Sequence, residues 1–157
     1  MIKKPQVSLI IVSRDRPDDL KRILASLRFQ TYGNFEVIVV SNHDPDDDRI
    51  KYIEFTDPNI SAARNVGVNN AAGTIVAFCD DDAIPEPEWL ARLAPAFEKS
   101  EVGIAGGFVR GRNGISYQWQ GLETDQLGTD HPLEIDAPLT RGIQNNRMLK
   151  VQGTNCA

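Results

Sequence analysis

The sequence predicts an α/β fold, a Rossmann-like and mostly parallel sheet flanked by helices. Three observations carry that expectation. The runs Val7–Ser13 (VSLIIVS), Phe35–Val40 (FEVIVV) and Ile75–Cys79 (IVAFC) are short, continuous and rich in β-branched residues. Such runs mark strands covered on both faces, as in parallel sheets. Between them lie segments with helical spacing of apolar residues, and strand, helix, strand in that order implies right-handed crossovers. The third run ends abruptly in Asp80, Asp81 and Asp82, at the carboxyl end of a buried strand, where open α/β sheets bind their ligands.

After the first run comes Arg14-Asp15-Arg16-Pro17, then Leu20, Ile23, Leu24 and Leu27 at helical spacing, with Pro17, Asp18 and Asp19 in the first turn. These predict an amphipathic helix ending near Gln30. Beyond the second strand, Ser41 to Pro45 leave as a loop whose acids, Asp44, Asp46, Asp47 and Asp48, form a solvated charge run. Lys51 to Phe55 fits a short edge strand. Ser61 is the expected cap of a helix through Ala62, Ala63, Arg64, Asn65 and Val66 to about Ala71. Its small residues allow close approach to the sheet, so Arg64 either faces solvent or reaches over the strand ends.

Pro85 to Phe97 predicts a helix with Trp89, Leu90, Leu93 and Phe97 on one face, kinked or shortened at Pro95. Val102 to Val109 (VGIAGGFV) reads as a strand with a bulge or close backbone approach at Gly106 and Gly107. Residues 110–146 are polar, without period, and read as a functional or mobile loop. Met148 to Gln152 is the expected last strand.

At 157 residues and 17.4 kDa, with 41% hydrophobic and 25% charged residues, the chain is expected to be one domain over residues 1–157. A net charge of −5 argues against a nucleic-acid partner. Two cysteines, Cys79 and Cys156, make neither a disulfide framework nor a metal-ligand spacing. There is no secretory signal pattern and no run of the roughly 20 apolar residues a membrane span needs. A reduced cytoplasmic setting is the expectation, peripheral to a membrane in a full-length protein. The sequence stops directly after VQGTNCA, which reads as a fragment incomplete at its C-terminus.

If extended geometry persists past Cys79, Asp80 and Asp82 point the same way and Asp81 does not. Two converging carboxylates are unfavourable unless a proton or cation sits between them, and Mg2+ or Mn2+ would fit. The alternative is that the acids begin a surface loop and favour the positive end of a following helix.

Three pieces taken together, VSLIIVSRDRPDDLKRILASLRFQTYGNFEVIVVS, ISAARNVGVNNAAGTIVAFCDDDAIPEPEWLARL and VQGTNCA, resemble the nucleotide-sugar-binding part of the family 2 glycosyltransferases. The joint order, and above all S-A-A-R-N before a strand ending in D-D-D, is specific. The resemblance implies the GT-A fold, a nucleotide-sugar donor, usually a uridine diphosphate sugar, and a carbohydrate or lipid-linked acceptor. It implies a divalent cation, Mn2+ or Mg2+, held by the D-x-D motif, with Asp82 as principal ligand and Asp80 sharing the metal or touching the ribose. Asp81, Ser13 and Arg64 would join the nucleotide-sugar contacts. Where the family usually has an acidic pair after the second strand, this chain has Ser41 and Asn42. Asn42 can accept a base N–H through its amide oxygen but also offers donors.

Inverting members use an Asp or Glu as general base, and the resemblance puts it past the G-T-N-C-A region, outside this chain. Asp125, Asp130, His131, Glu134 and Asp136 are local alternatives with no spacing to choose among them, and Tyr117 and Trp119 could stack on a sugar. Two functional readings follow. One is a metal-dependent, inverting glycosyltransferase; the other is a non-catalytic nucleotide-binding module. A phosphoryl-transfer or receiver domain would need acids after the first strand and a lysine after a late one, and Gly106 to Gly111 contains no lysine.

Overall fold

The computed structural model describes residues 4–111, 117–119, 122–125, 127, 129–132, 147–150 and 155–156. Its main sheet is built from β1 (Val7–Ser13), β2 (Phe35–Ser41), β3 (Lys51–Glu54) and β4 (Ile75–Cys79). β1 pairs in parallel with β2 and with β4, and β2 pairs in parallel with β3. The connections carry α1 (Pro17–Leu27) and α2 (Ile60–Asn69). After β4 come α3 (Trp89–Leu93), a 3₁₀ turn at Ala94–Glu98, then β5 (Val109–Arg110), β6 (Tyr117–Trp119), β7 (Leu122–Asp125), β8 (Asp130–Pro132), β9 (Arg147–Lys150) and β10 (Asn155–Cys156). β10 returns to the main sheet, pairing antiparallel with β4 and giving the order β10-β4-β1-β2-β3. β5 and β6 form one small antiparallel pair; β8, β7 and β9 form another small sheet.

The sheet is covered on both faces, which is why its strands carry unbroken apolar runs. Val7, Leu9 and Ile11 of β1 pack with Leu20, Ile23, Leu24 and Leu27 of α1 and with Leu90 and Leu93 of α3. The alternate residue Ile10 packs with Ile38, Val40 and Ala63 on the α2 face. Ser8 breaks the pattern and is fully buried, but its hydroxyl donates to Glu36 Oε1 at 2.5 Å and accepts the Gly73 N–H at 2.9 Å, so its polarity is satisfied. Gly73 sits so close that a Cβ there would lie 2.8 Å from the Ser8 nitrogen.

Several sequence expectations need correction. α2 is capped two residues before the proposed cap: Asn59 is the cap, its side chain accepting from Ala62 N–H at 3.0 Å, and Ser61 lies in the first turn. The helix expected from Pro85 to Phe97 shrinks to α3 and a 3₁₀ turn. Prolines at 85, 87 and 95 remove three helical donors, and Gln30 instead holds the segment, donating to Glu86 O and accepting from Leu90 N–H. The strand expected over Val102 to Val109 is reduced to β5, because glycines at 103, 106 and 107 leave little to pack, and Ile104 and Phe108 are exposed. Residues 110–146, expected to be irregular, include β6, β7 and β8. The last strands are β9, at Arg147–Lys150, and β10, which periodicity could not reveal in two residues. Among the described residues no helix is long and apolar enough to cross a membrane.

Candidate functional site

Parallel strands end on one side of the sheet, and here β1, β2 and β4 deliver Ser13, Ser41 and Cys79 to the same rim. A cavity of about 400 Å³ opens there. Its lining includes the apolar residues Val12, Val40, Phe55, Ile60 and Ala63 together with Ser13, Arg16, Arg64 and the three acids.

The acids do not alternate as an extended strand would have them. The chain turns immediately after Cys79, closing with an Ala83 N–H to Asp80 O bond of 3.2 Å, and all three side chains line the cavity with different partners. Asp80 pairs with Arg64 Nη2 at 3.3 Å. Asp81 is buried, 7% exposed, and accepts from the Ser13 hydroxyl at 2.7 Å. Arg16 Nη1 lies 3.2 Å from both Asp81 Oδ1 and Asp82 Oδ2, so one guanidinium bridges two carboxylates. The charge of Asp81, its bond and then Asp82 hold Arg16 still more firmly protonated than usual. Arg64 also stands 5.8 Å from the Phe78 ring centre, in cation–π range, over the strand ends.

Ser13, Arg64, Asp80, Asp81 and Asp82 therefore meet at one cavity. Asn42 is placed differently: it is not among the lining residues, and its amide is matched to Asp15, donating to Asp15 Oδ1 at 2.7 Å and accepting the Asp15 N–H at 3.1 Å. Asp15 has φ 55, a left-handed backbone that Asp tolerates better than most residues. The Asn42 bond, and then Arg14 and His43, hold the Asp15 carboxyl below its ordinary range.

Sequence reasoning missed Arg16, and with it Phe55 and Asp57 at the end of β3. The available signal for Arg16 was its place directly before Pro17, at the step from strand end into helix. Of the local base candidates, Asp125 falls in β7 and Asp130 and His131 in β8, whereas Glu134 and Asp136 lie outside the described residues.

The donor set suits a hard divalent ion, being carboxylate oxygens opening onto a cavity. Among the described residues no group of three His, Cys, Asp or Glu is placed to hold a metal by itself.

Residues 8–155 match the model of glycosyl transferase family 2. The chain is 33% identical over 116 residues to the O-antigen biosynthesis protein RfbC of Myxococcus xanthus, a match covering 65% of this chain and 9% of that protein. It is 27% identical over 161 residues to the UDP-Glc:alpha-D-GlcNAc-diphosphoundecaprenol beta-1,3-glucosyltransferase WfgD of Escherichia coli, covering 96% of this chain and 57% of WfgD. Among solved structures, S. aureus TarS 1-349 in complex with UDP-GlcNAc aligns with a TM-score of 0.60 at 21% identity, over 79% of this chain and 41% of that one. The mannosyltransferase PcManGT of Pyrobaculum calidifontis, in complex with GDP-Man and Mn2+, aligns with a TM-score of 0.52 at 23% identity, over 67% and 35%. At these identities the structural matches bear on the fold, which is GT-A.

Proposed function

This chain belongs to glycosyl transferase family 2, and from that membership we propose that the cavity binds the donor of a sugar transfer, a nucleotide-diphosphate sugar, with uridine diphosphate the first choice of nucleotide. The observation that carries the reading is the turn after β4, which brings Asp80, Asp81 and Asp82 into one cavity with Ser13 and Arg64. The apolar lining residues suit the flat base, and the charged ones suit ribose and diphosphate. Asp82 is the proposed principal metal ligand, with Asp80 sharing the ion or holding the ribose. When bound, Mn2+ or Mg2+ would supply Lewis-acid stabilisation of the departing diphosphate. Asp81 orients Ser13 through their hydrogen bond, and Arg64 adds a fixed positive charge.

Three arginines, 14, 16 and 64, face four aspartates, 57, 80, 81 and 82, around the cavity, leaving one net negative charge. A diphosphate is repelled by that balance, which supports metal dependence. The names of WfgD and of the TarS complex favour uridine diphosphate, and that of PcManGT makes guanosine diphosphate the competitor. We further propose hexosyl transfer with inversion to a carbohydrate or lipid-linked acceptor, in the cytoplasm at a membrane face. The general base and much of the acceptor site are assigned to the part of the longer proteins that this chain does not span.

Calorimetric titration with uridine, guanosine, cytidine and thymidine diphosphates, with and without Mn2+, tests the donor site. Manganese-dependent binding of one nucleotide, weakened at least about tenfold in Asp82→Ala, is the expected result. A folded chain that binds no nucleotide overturns it.

A further inference from the structure

We propose that Arg16 is the resident counter-ion of the acid triplet and hands it over on donor binding. Arg16 bridges Asp81 and Asp82, yields Asp82 to a divalent ion, and then turns to the diphosphate. The inference rests on the donor reading of this cavity.

Four features of the site carry it. A single nitrogen, Nη1, makes both contacts at 3.2 Å, which leaves the rest of a five-donor fork for a second oxyanion. The two carboxylates it bridges differ in what they keep when it leaves. Asp81 is buried and retains the Ser13 hydroxyl, whereas the Asp82 side chain is 55% exposed. Ion pairs this exposed are weak, so a divalent ion displaces Arg16 from Asp82 at little cost.

The side chain is also placed to move. Arg16 is half exposed, and its backbone is fixed as the residue before Pro17 at the start of α1, leaving a long flexible stem. Arg64, by contrast, is held between Asp80 and the Phe78 ring. Finally, the charge balance changes sign: one divalent ion converts the net negative charge of the cavity to a net positive one, and the released guanidinium then faces a dianionic group with bidentate geometry. Arg16 is thus a positioning residue for the metal and a specificity residue for diphosphate over monophosphate.

Manganese binding is read first, by electron paramagnetic resonance without nucleotide, on wild type, Arg16→Ala, Arg14→Ala and Asp82→Ala. Loss of the competing cation should raise Mn2+ affinity about two- to fivefold in Arg16→Ala. Arg14→Ala, which removes a cavity arginine bonded to Thr56 O and Asp15 instead, should raise it less. With Mn2+ saturating, uridine diphosphate affinity, or guanosine diphosphate affinity if the wild type takes that nucleotide, should fall about tenfold in Arg16→Ala, with the monophosphate much less affected. Unchanged or weaker Mn2+ binding in Arg16→Ala, an equal rise in Arg14→Ala, or undiminished diphosphate binding overturns the hand-over. If Asp82→Ala binds Mn2+ as the wild type does, the metal reading of the triplet fails and this inference with it; if Asp82→Ala loses Mn2+ while Arg16→Ala matches wild type, only the hand-over fails. Should Arg16→Ala not fold, Arg16→Gln carries the same measurements.

Discussion

The reciprocal pair of Asn42 and Asp15 shows how one amide can serve structure at a position where a ligand contact was expected. Both polar atoms of Asn42 bond Asp15, so a base contact from Asn42 would have to share them, through the second lone pair or the second N–H. The pair also has a pH signature. The Asp15 carboxyl titrates lower in the folded chain than in the unfolded one, so its contribution to stability is complete above the ordinary carboxylate value of about 3.9 and is lost as pH falls through the folded value. Asn42→Ala removes the largest cause of that depression. Its Asp15 pKa, followed by NMR titration, should move back up toward the ordinary value, and its acid unfolding limb should flatten. A titration unchanged from wild type would mean that Arg14 and His43 hold Asp15 without help. None of this was legible in the sequence, where Asp15 and Asn42 stand on loops after different strands and only the parallel register of β1 with β2 makes them neighbours.

At the scale of elements, α2 shows why small residues recur where a helix must lie close to a sheet. A Cβ added at Gly67 would stand 2.5 Å from Ile10 Cγ2, and Ile10 is buried between the sheet and that helix. Gly67→Ala therefore overpacks the α2 face and should cost about 1–3 kcal/mol, read by urea unfolding; the gain in helix propensity of roughly 1 kcal/mol offsets only part of it. A neutral result would mean that Ile10 rotates away. The central strands and α1 were legible because two-sided burial writes itself as continuous β-branched runs and 3.6-residue spacing. Beyond Pro85 the signal failed for a physical reason: prolines lack the helical N–H donor and glycines offer little to pack, so long-range contacts such as Gln30 with Glu86 and Leu90 decide the conformation. The acid triplet was legible as a cluster at a strand end, but its geometry was not. Alternation applies only while the chain stays extended, and here it turns at once.

The whole molecule is acidic, with a net charge of −5, yet its cavity gathers three of its arginines against four acids. A long-range field that repels anions thus surrounds a site whose local balance one divalent ion can reverse, and donor affinity should depend on Mn2+ concentration far more than on ionic strength. The two margins of the main sheet are also unlike. β3, at one margin, is four residues long and begins and ends in charge, Lys51 and Glu54, which discourages pairing with another chain. β4 has no charge in IVAFC, and the outer edge of its last two residues, Phe78 and Cys79, is paired by β10, a strand supplied from late in the sequence. Until that late segment arrives, during synthesis or refolding, a flat apolar strand lies open to any similar strand nearby. A chain stopped at Gly153 lacks β10 and should associate in a concentration-dependent way, seen by sedimentation velocity, under conditions where the 157-residue chain does not.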